Sequence, residues 1–367
     1  MKTAVERAIA LGKAVHSWLD DESDLLGKAM QATLDEKLFF RDDVTFALDH
    51  IRSSVTAESL KDWASRITDE LSGNESSAGK KTVLCLHAGN LPLVGLQDVL
   101  AVLISGHRYA GKISRKDPHL LSSLLRYLEE NTTFDIYRFS TKIEEFTNLE
   151  AGAVMFSGSE SSVADVRRLL ADHNMLAADA AELIRTAHSS AAWIPKEANF
   201  KAIAAELVEA MFRYEGKGCR SLTTVFTDGD ARFLVKAIEA EAGASTYIKE
   251  NISNQQLSPL LYYKRSFYRA LDQECFSTGD SLIAAADPDL HTDGLVTVTR
   301  ADKEKCIHFV EKNRRRIQSL YTTGTEAGFG QIIAEPIAFA QRPPVNWKPD
   351  GVDPLKWLWQ SEQMHGP

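Results

Sequence analysis

One cysteine, Cys219, follows Tyr214-Glu215-Gly216-Lys217-Gly218 and precedes Arg220-Ser221-Leu222-Thr223-Thr224-Val225-Phe226. Glycines at 216 and 218 permit sharp or left-handed backbone, so the thiol can be presented at a loop tip ahead of an apolar, strand-like run. A thiol held that way suits nucleophilic attack on a carbonyl carbon. Free cysteine is also among the most buried residue types, and for this motif alone the packed, inert alternative stands beside the catalytic one. Two further motifs offer matching chemistry. Asn90, in His87-Ala88-Gly89-Asn90-Leu91-Pro92, carries an amide donor that does not titrate and can stabilise an oxyanion, or serves as a turn residue beside Gly and Pro. Gly158-Ser159, ahead of a helix-like run, offers free backbone N–H groups and the positive end of a helix dipole to a pyrophosphate, or supplies an ordinary serine cap.

The remaining patterns exclude more than they assign. Cysteines at 85, 219, 275 and 306 show no paired spacing, so neither a zinc site nor a disulfide framework is expected, and no metal is assigned. His87, His188 and His308 show no ligand spacing either. Ser161-Ser162 follow Ser159 where a serine-hydrolase elbow needs a second glycine, and no Walker glycine-lysine motif is present. A net charge of −9 argues against wrapping a nucleic-acid backbone. Arg314, Arg315 and Arg316 follow Lys312 in what reads as a charged helical segment, either a solvated face or a dock for a phosphate-bearing acyl carrier. There is no uninterrupted apolar stretch of about 18 residues to span a bilayer, and Lys2, Glu6 and Arg7 break the opening run, so a cytoplasmic protein is expected.

These residues need elements to position them. Apolar residues recur at helical spacing through the first eighty positions, which end in the polar tract Ser72 to Gly79. Strand-like runs at Thr82–Leu86, Tyr109–Ile113, Phe134–Phe139 and Ala151–Phe156 then alternate with helical ones at Pro92–Ile104, Leu120–Glu129 and Ser162–His173. That alternation predicts a doubly wound α/β domain, which binds nucleotides beyond the carboxyl ends of its strands. A second α/β region is expected around Cys219, with elements at Leu222–Phe226, Ala231–Glu241, Leu295–Thr299 and Lys303–Leu320. The length suits two domains. The expected division is a helical region at 1–80 packed on a cofactor domain at 81–195, a catalytic domain at 196–328, and an irregular segment at 329–367 returning to the body.

In order along the chain, Gly89-Asn90-Leu91-Pro92-Leu93-Val94-Gly95, Lys112-Ile113-Ser114-Arg115-Lys116-Asp117-Pro118, Phe156-Ser157-Gly158-Ser159 and Gly216-Lys217-Gly218-Cys219-Arg220 resemble the acyl-CoA reductase family related to the fatty-acid reductase of bacterial bioluminescence, a compact branch of the aldehyde dehydrogenase superfamily. Phe329-Gly330-Gln331, Gln341-Arg342-Pro343 and Asp350-Gly351-Val352-Asp353 are similar to that family's C-terminal signature. The resemblance covers roughly residues 80 to 358 and implies an aldehyde dehydrogenase-like fold with a doubly wound nucleotide-binding domain and an α/β catalytic domain. It further implies Cys219 as nucleophile, Asn90 as the oxyanion amide, Lys112 at the adenosine ribose with Ser114 and Arg115 beside it, and Gly158-Ser159 at the pyrophosphate. Hydrolytic relatives carry an acid where this chain has Arg115. A cation there can pair with a 2′-phosphate, so NADPH is favoured over NADH. Those relatives also activate water from a Glu-Leu-Gly-Gly type segment, whereas Ser189-Ser190-Ala191-Ala192-Trp193-Ile194 holds no acid and Glu197 lies outside the pattern. The implied activity is reduction of an acyl thioester, from CoA or an acyl carrier, to aldehyde within fatty acid metabolism. The alternatives are an aldehyde dehydrogenase forming acid and a non-catalytic nucleotide-binding protein. Homo-oligomers or an enzyme partner delivering substrate are also implied.

Overall fold

The computed structural model of the chain describes residues 3–20, 24–71, 80–324 and 328–363, and the expected linker from Ser72 to Gly79 lies outside them. Two compact units emerge, Met1–Thr186 with Pro344–Pro367, and Ala187–Pro343.

The first unit opens with helices α1 (Ala4–Leu19), α2 (Leu25–Asp35), α3 (Arg41–Ser54) and α4 (Ala57–Glu70). Thr3 starts α1 with a reciprocal capping box, its hydroxyl accepting from Glu6 N while Glu6 accepts from Thr3 N. Ala4, Ala8, Leu11, Val15 and Trp18 then fall on one buried face. Gly12 lets α1 and α4 approach, since a Cβ there would lie 2.6 Å from the Ala57 backbone. A parallel sheet follows through β1 (Thr82–Leu86), α5 (Leu96–Ser105), β2 (Arg108–Lys112), α6 (Leu120–Asn131), β3 (Ile136–Ser140), β4 (Ala151–Ser157), α7 (Val163–Asp172) and β5 (Leu176–Arg185). Its order is β3-β2-β1-β4-β5, with every neighbouring pair parallel. The N-terminal helices, α5 and α6 share one core with Val83, Cys85 and Tyr109, while Leu170 of α7 packs with Leu84, Val154 and Phe156 on the other face. Trp18 donates to Ser123 Oγ of α6 at 3.2 Å, tying the N-terminal helices to this layer.

The second unit runs β6 (Ser189–Ile194), α8 (Phe200–Phe212), β7 (Leu222–Thr227), α9 (Ala231–Ala244), α10 (Pro259–Ala270), β8 (Cys275–Thr278), β9 (Ser281–Ala284), β10 (Leu295–Arg300), α11 (Lys303–Lys312), β11 (Ile317–Thr322) and β12 (Ala334–Pro336). The sheet order is β12-β11-β6-β7-β10-β9-β8, antiparallel only between β8 and β9. The chain then returns to the first unit and ends in α12 (Pro354–Gln363), which buries Leu355, Leu358 and Trp359 in the N-terminal core.

Four expectations change. The helix expected from Lys303 to Leu320 stops at Lys312, Arg314–Arg316 form a turn, and Ile317–Thr322 pairs with β6 because its apolar residues fill a central strand. The arginines are therefore not a helical face. The run Ser189–Ile194, expected at the end of the cofactor domain, is a central strand of the second sheet, so the units divide after Thr186 rather than after residue 195. The closing segment is split between the two units at Pro343/Pro344 and ends in a helix rather than staying irregular. The helix expected from Pro92 begins at Leu96, since Leu93 takes a left-handed backbone conformation (φ 58°) that no helix accommodates.

Candidate functional site

In the first unit the candidate residues lie on loops leaving the carboxyl ends of β1, β2 and β4, around the point where the strand order reverses between β1 and β4. His87 N donates to Lys112 O at 3.0 Å, prolonging the ladder between β1 and β2 into the loop that carries Asn90. Gly89 presses on the second loop, where an added Cβ would overlap the Ser114 side chain. Asp117, 3 % exposed, clamps the two loops: Oδ2 accepts from Leu93 N at 2.8 Å and Oδ1 from Leu120 N at 3.3 Å. That bond holds Leu93 in its left-handed conformation, worth about 1–2 kcal/mol of strain. Burial pushes the Asp117 carboxyl up to about 6, although the Leu93 and Leu120 amides and His119 pull the other way. At the loop's other end His87 Nε2 meets Tyr109 Oη at 2.6 Å, and Gly95 leaves room for the imidazole. Burial lowers His87 to about 4, so the ring is neutral near pH 7.

Asn90 is half-buried between these two anchors. Lys112 ends β2 and is also half-buried; its pKa is lowered by burial and then by the neighbouring Arg115. Ser114 accepts from Lys116 N at 3.2 Å, and Arg115 is exposed. After β4, Gly158 N donates to Arg185 O of β5 at 3.1 Å, so this N–H is part of the sheet and is not open for a pyrophosphate as expected. Gly158 is glycine because a Cβ would strike the Phe156 ring. Ser159 is exposed and precedes a short 3₁₀ turn, Glu160–Ser162, ahead of α7. Sequence reasoning missed the buried bidentate pair of Arg185 with Asp98 on the first turn of α5, at 2.9 and 2.5 Å. Burial opposes the guanidinium's charge, but Asp98 more than offsets it and raises its pKa.

In the second unit Cys219 sits, half-buried, in the turn closed by Ser221 N donating to Gly218 O at 2.9 Å, immediately ahead of β7. Tyr214, Glu215 and Gly216 just before it are successively left-handed, at φ 58°, 57° and 69°. Glu215 is gripped by Lys217 Nζ at 2.7 Å and Gln255 Nε2 at 2.6 Å. Ser190 Oγ donates to the Cys219 carbonyl at 3.0 Å, and Arg220 is buried beside it. Burial raises the thiol pKa of Cys85 and Cys275 and pushes Cys306 up to about 12. Glu197 is exposed beyond the far end of β6. Ser190, beside Cys219, pairs with Leu222, while Ile194, beside Glu197, pairs with Thr227. The strand run between those two pairings alone spans roughly 13 Å. Among the described residues, no group of three or more His, Cys, Asp or Glu side chains is arranged to hold a metal, and no helix is long and apolar enough to cross a membrane.

Comparison with protein-family models gives no match, and comparison with curated proteins gives none. Solved structures do match. An NAD-dependent aldehyde dehydrogenase from Sinorhizobium meliloti aligns over 91% of this chain and 74% of its own at 11% identity, with a TM-score of 0.61. An NAD-dependent benzaldehyde dehydrogenase from Corynebacterium glutamicum aligns over 88% and 76% at 14% identity, TM-score 0.57. A substrate-bound AldH from Staphylococcus aureus aligns over 89% and 77% at 14% identity, TM-score 0.55. At such identities the likeness is one of architecture. The chain has the aldehyde dehydrogenase-like α/β fold, built from a parallel sheet of β3-β2-β1-β4-β5 and a second sheet led into by the Cys219 turn.

Proposed function

We propose that this chain reduces an acyl thioester to an aldehyde, using NADPH and an acyl-enzyme on Cys219. The observation that carries the reading is the setting of that cysteine: a half-buried thiol on a strained, hydrogen-bonded turn, while burial raises the pKa of the other three thiols. The donor set on the first unit's loops suits the cofactor. Lys112 and Arg115 are cations and Ser114 and Ser159 hydroxyls, all at carboxyl ends of strands, which fits an anionic dinucleotide with a 2′-phosphate. NADPH, when bound, would supply hydride to the acyl carbon.

The chain's own groups do the rest. Cys219 thiolate attacks the thioester carbonyl, and the C–S bond to CoA or a carrier breaks as the donor thiol leaves. This exchange of one thioester for another is nearly balanced in energy. Asn90 donates to the oxyanion that forms. Addition of hydride to the thioester carbon leaves an oxyanion on the Cys219 adduct, held by the same Asn90 amide; as its C=O re-forms the C–S bond breaks, releasing aldehyde and returning the Cys219 thiolate. The position of Glu197 favours this direction over oxidation to acid, because a base more than about 13 Å along the sheet cannot deliver water to a thioester on Cys219. In the same reading the protein is cytoplasmic, takes acyl-CoA or an acyl carrier, and associates with itself or a delivering enzyme.

Incubation with acyl-CoAs of graded chain length and NADPH tests this. The expected result is loss of nicotinamide absorbance matched by aldehyde. Reduction of NADP⁺ by aldehydes, with isotope from labelled water entering an acid product and no thioester reduction, would establish the opposite direction. Failure to bind nicotinamide cofactor at all would indicate a protein that kept only the fold.

A further inference from the structure

The motif Gln341-Arg342-Pro343 has no task in the chemistry above, yet the segment containing it holds both residues that follow Cys219. Arg220, 5 % exposed, directs Nε to Ala340 O at 2.9 Å and Nη2 to Phe339 O at 3.0 Å and Glu335 Oε2 at 2.7 Å. The other Glu335 oxygen accepts from Ser319 Oγ at 2.9 Å. Ser319 N donates to Ser190 Oγ at 3.2 Å, and Ser190 Oγ donates to the Cys219 carbonyl. On the far side of the turn, Gln341 Nε2 reaches Ser221 Oγ at 3.3 Å and Ala210 O at 3.0 Å. Cys219 is thus held at its own carbonyl and through both residues that follow it. A buried guanidinium is costly to move from its partners, and its planar fork fixes direction as well as distance.

We infer that Arg220, seated in the 335–341 segment, is a positioning residue that sets where the Cys219 sulfur stands, and hence how fast it reacts. The inference rests on Cys219 being the nucleophile. Arg342, paired with Glu209 on α8, anchors the same segment one residue further on.

The test is Arg220→Lys in the full chain, which keeps the charge but loses the fork. Alkylation of Cys219 by iodoacetamide is followed on its own peptide by mass spectrometry, alongside melting temperature, NADPH affinity and turnover. Alkylation and kcat are expected to fall together by about tenfold or more, with the dissociation constant for NADPH unchanged, because a displacement of about an ångström suffices for such losses. Alkylation and kcat within twofold of the parent would overturn the inference. If Arg220→Lys does not fold, Ser190→Ala decides, as it removes the bond to the Cys219 carbonyl together with the acceptor that links it through Ser319 to Glu335 and Arg220: a several-fold slower alkylation supports the bracket and an unchanged rate overturns it. A parent labelled at Cys219 with unaffected variants removes the bracket alone. A parent unlabelled at Cys219 removes the nucleophile assignment and the bracket with it.

Discussion

Asn90 and Lys112 stand on loops braced by close neighbours, with Gly89 pressed on Ser114 and Asp117 bridging Leu93 and Leu120, all within residues 87 to 120. Cys219 is held differently. Its turn follows three left-handed residues and is kept in place by Ser190, Ser319, Glu335 and Gln341, which lie far from it along the chain. The first arrangement uses buried titratable groups and so responds to pH. The second uses backbone strain and an ion pair between buried Arg220 and half-buried Glu335, and responds to substitutions remote in sequence. Strained backbone persists only where its surroundings over-determine it, and the Cys219 turn meets that condition.

Asn90→Ala gives the largest expected effect on the first region, slowing acyl transfer by about 10²-fold, on the order of 3 kcal/mol, with a smaller change in substrate affinity. Single-turnover acylation measures it. A rate within twofold of the parent would make the brace around Asn90 a feature of folding alone.

The pH response separates the two regions further. His87 has a folded pKa of about 4 against 6.5 for a free imidazole, so its contribution is present above pH 6.5 and is lost as pH falls toward 4. Asp117 has a folded pKa of about 6 against 3.8, so the folded state favours its protonated form and stability is lost as pH rises from 4 to 6. Each amounts to about 3 kcal/mol and the two oppose each other in the parent. Urea denaturation should show Asp117→Asn gaining on the parent between pH 4 and 6, and His87→Gln losing ground between pH 4 and 6.5. Arg220→Lys should show neither trend. Parallel curves for all three would mean that the first region is not held by its buried titratable groups.

Arg115→Glu is the mildest change. It should move cofactor preference from NADPH toward NADH by about tenfold in kcat/KM, through KM more than kcat, because a carboxylate accepts from a ribose hydroxyl and repels a phosphate. An unchanged ratio would return Arg115 to being a solvated cation beside Lys116.

Periodicity made the first sheet legible, since β1, β2 and β3 alternate with α5 and α6 at plain apolar spacing and β4 leads on to α7. It failed where tertiary pairing overrides local preference. The alanine-rich β5 does not read as a strand, and Ile317–Leu320 reads on from the helix begun at Lys303, although Ile317–Thr322 pairs with β6. The Asn90, Lys112 and Cys219 loops announce themselves through glycine, proline and a lone thiol. Their supports do not, because Asp98 with Arg185, and Arg220 with Glu335, are ordinary charged residues until the fold brings them together. The Gly158 N–H reads as open from sequence because its acceptor lies on β5, a strand with no strand-like pattern.

The central claim is that Cys219 carries the acyl group, and trapping tests it most directly. Incubating the parent and Cys219→Ser with a radiolabelled acyl-CoA in the absence of NADPH, then mapping the label by peptide, should place it on Cys219 in the parent and abolish it in the variant, whose melting temperature and NADPH binding stay unchanged. Undiminished labelling of the serine variant, or label on Cys85, Cys275 or Cys306, would contradict the account.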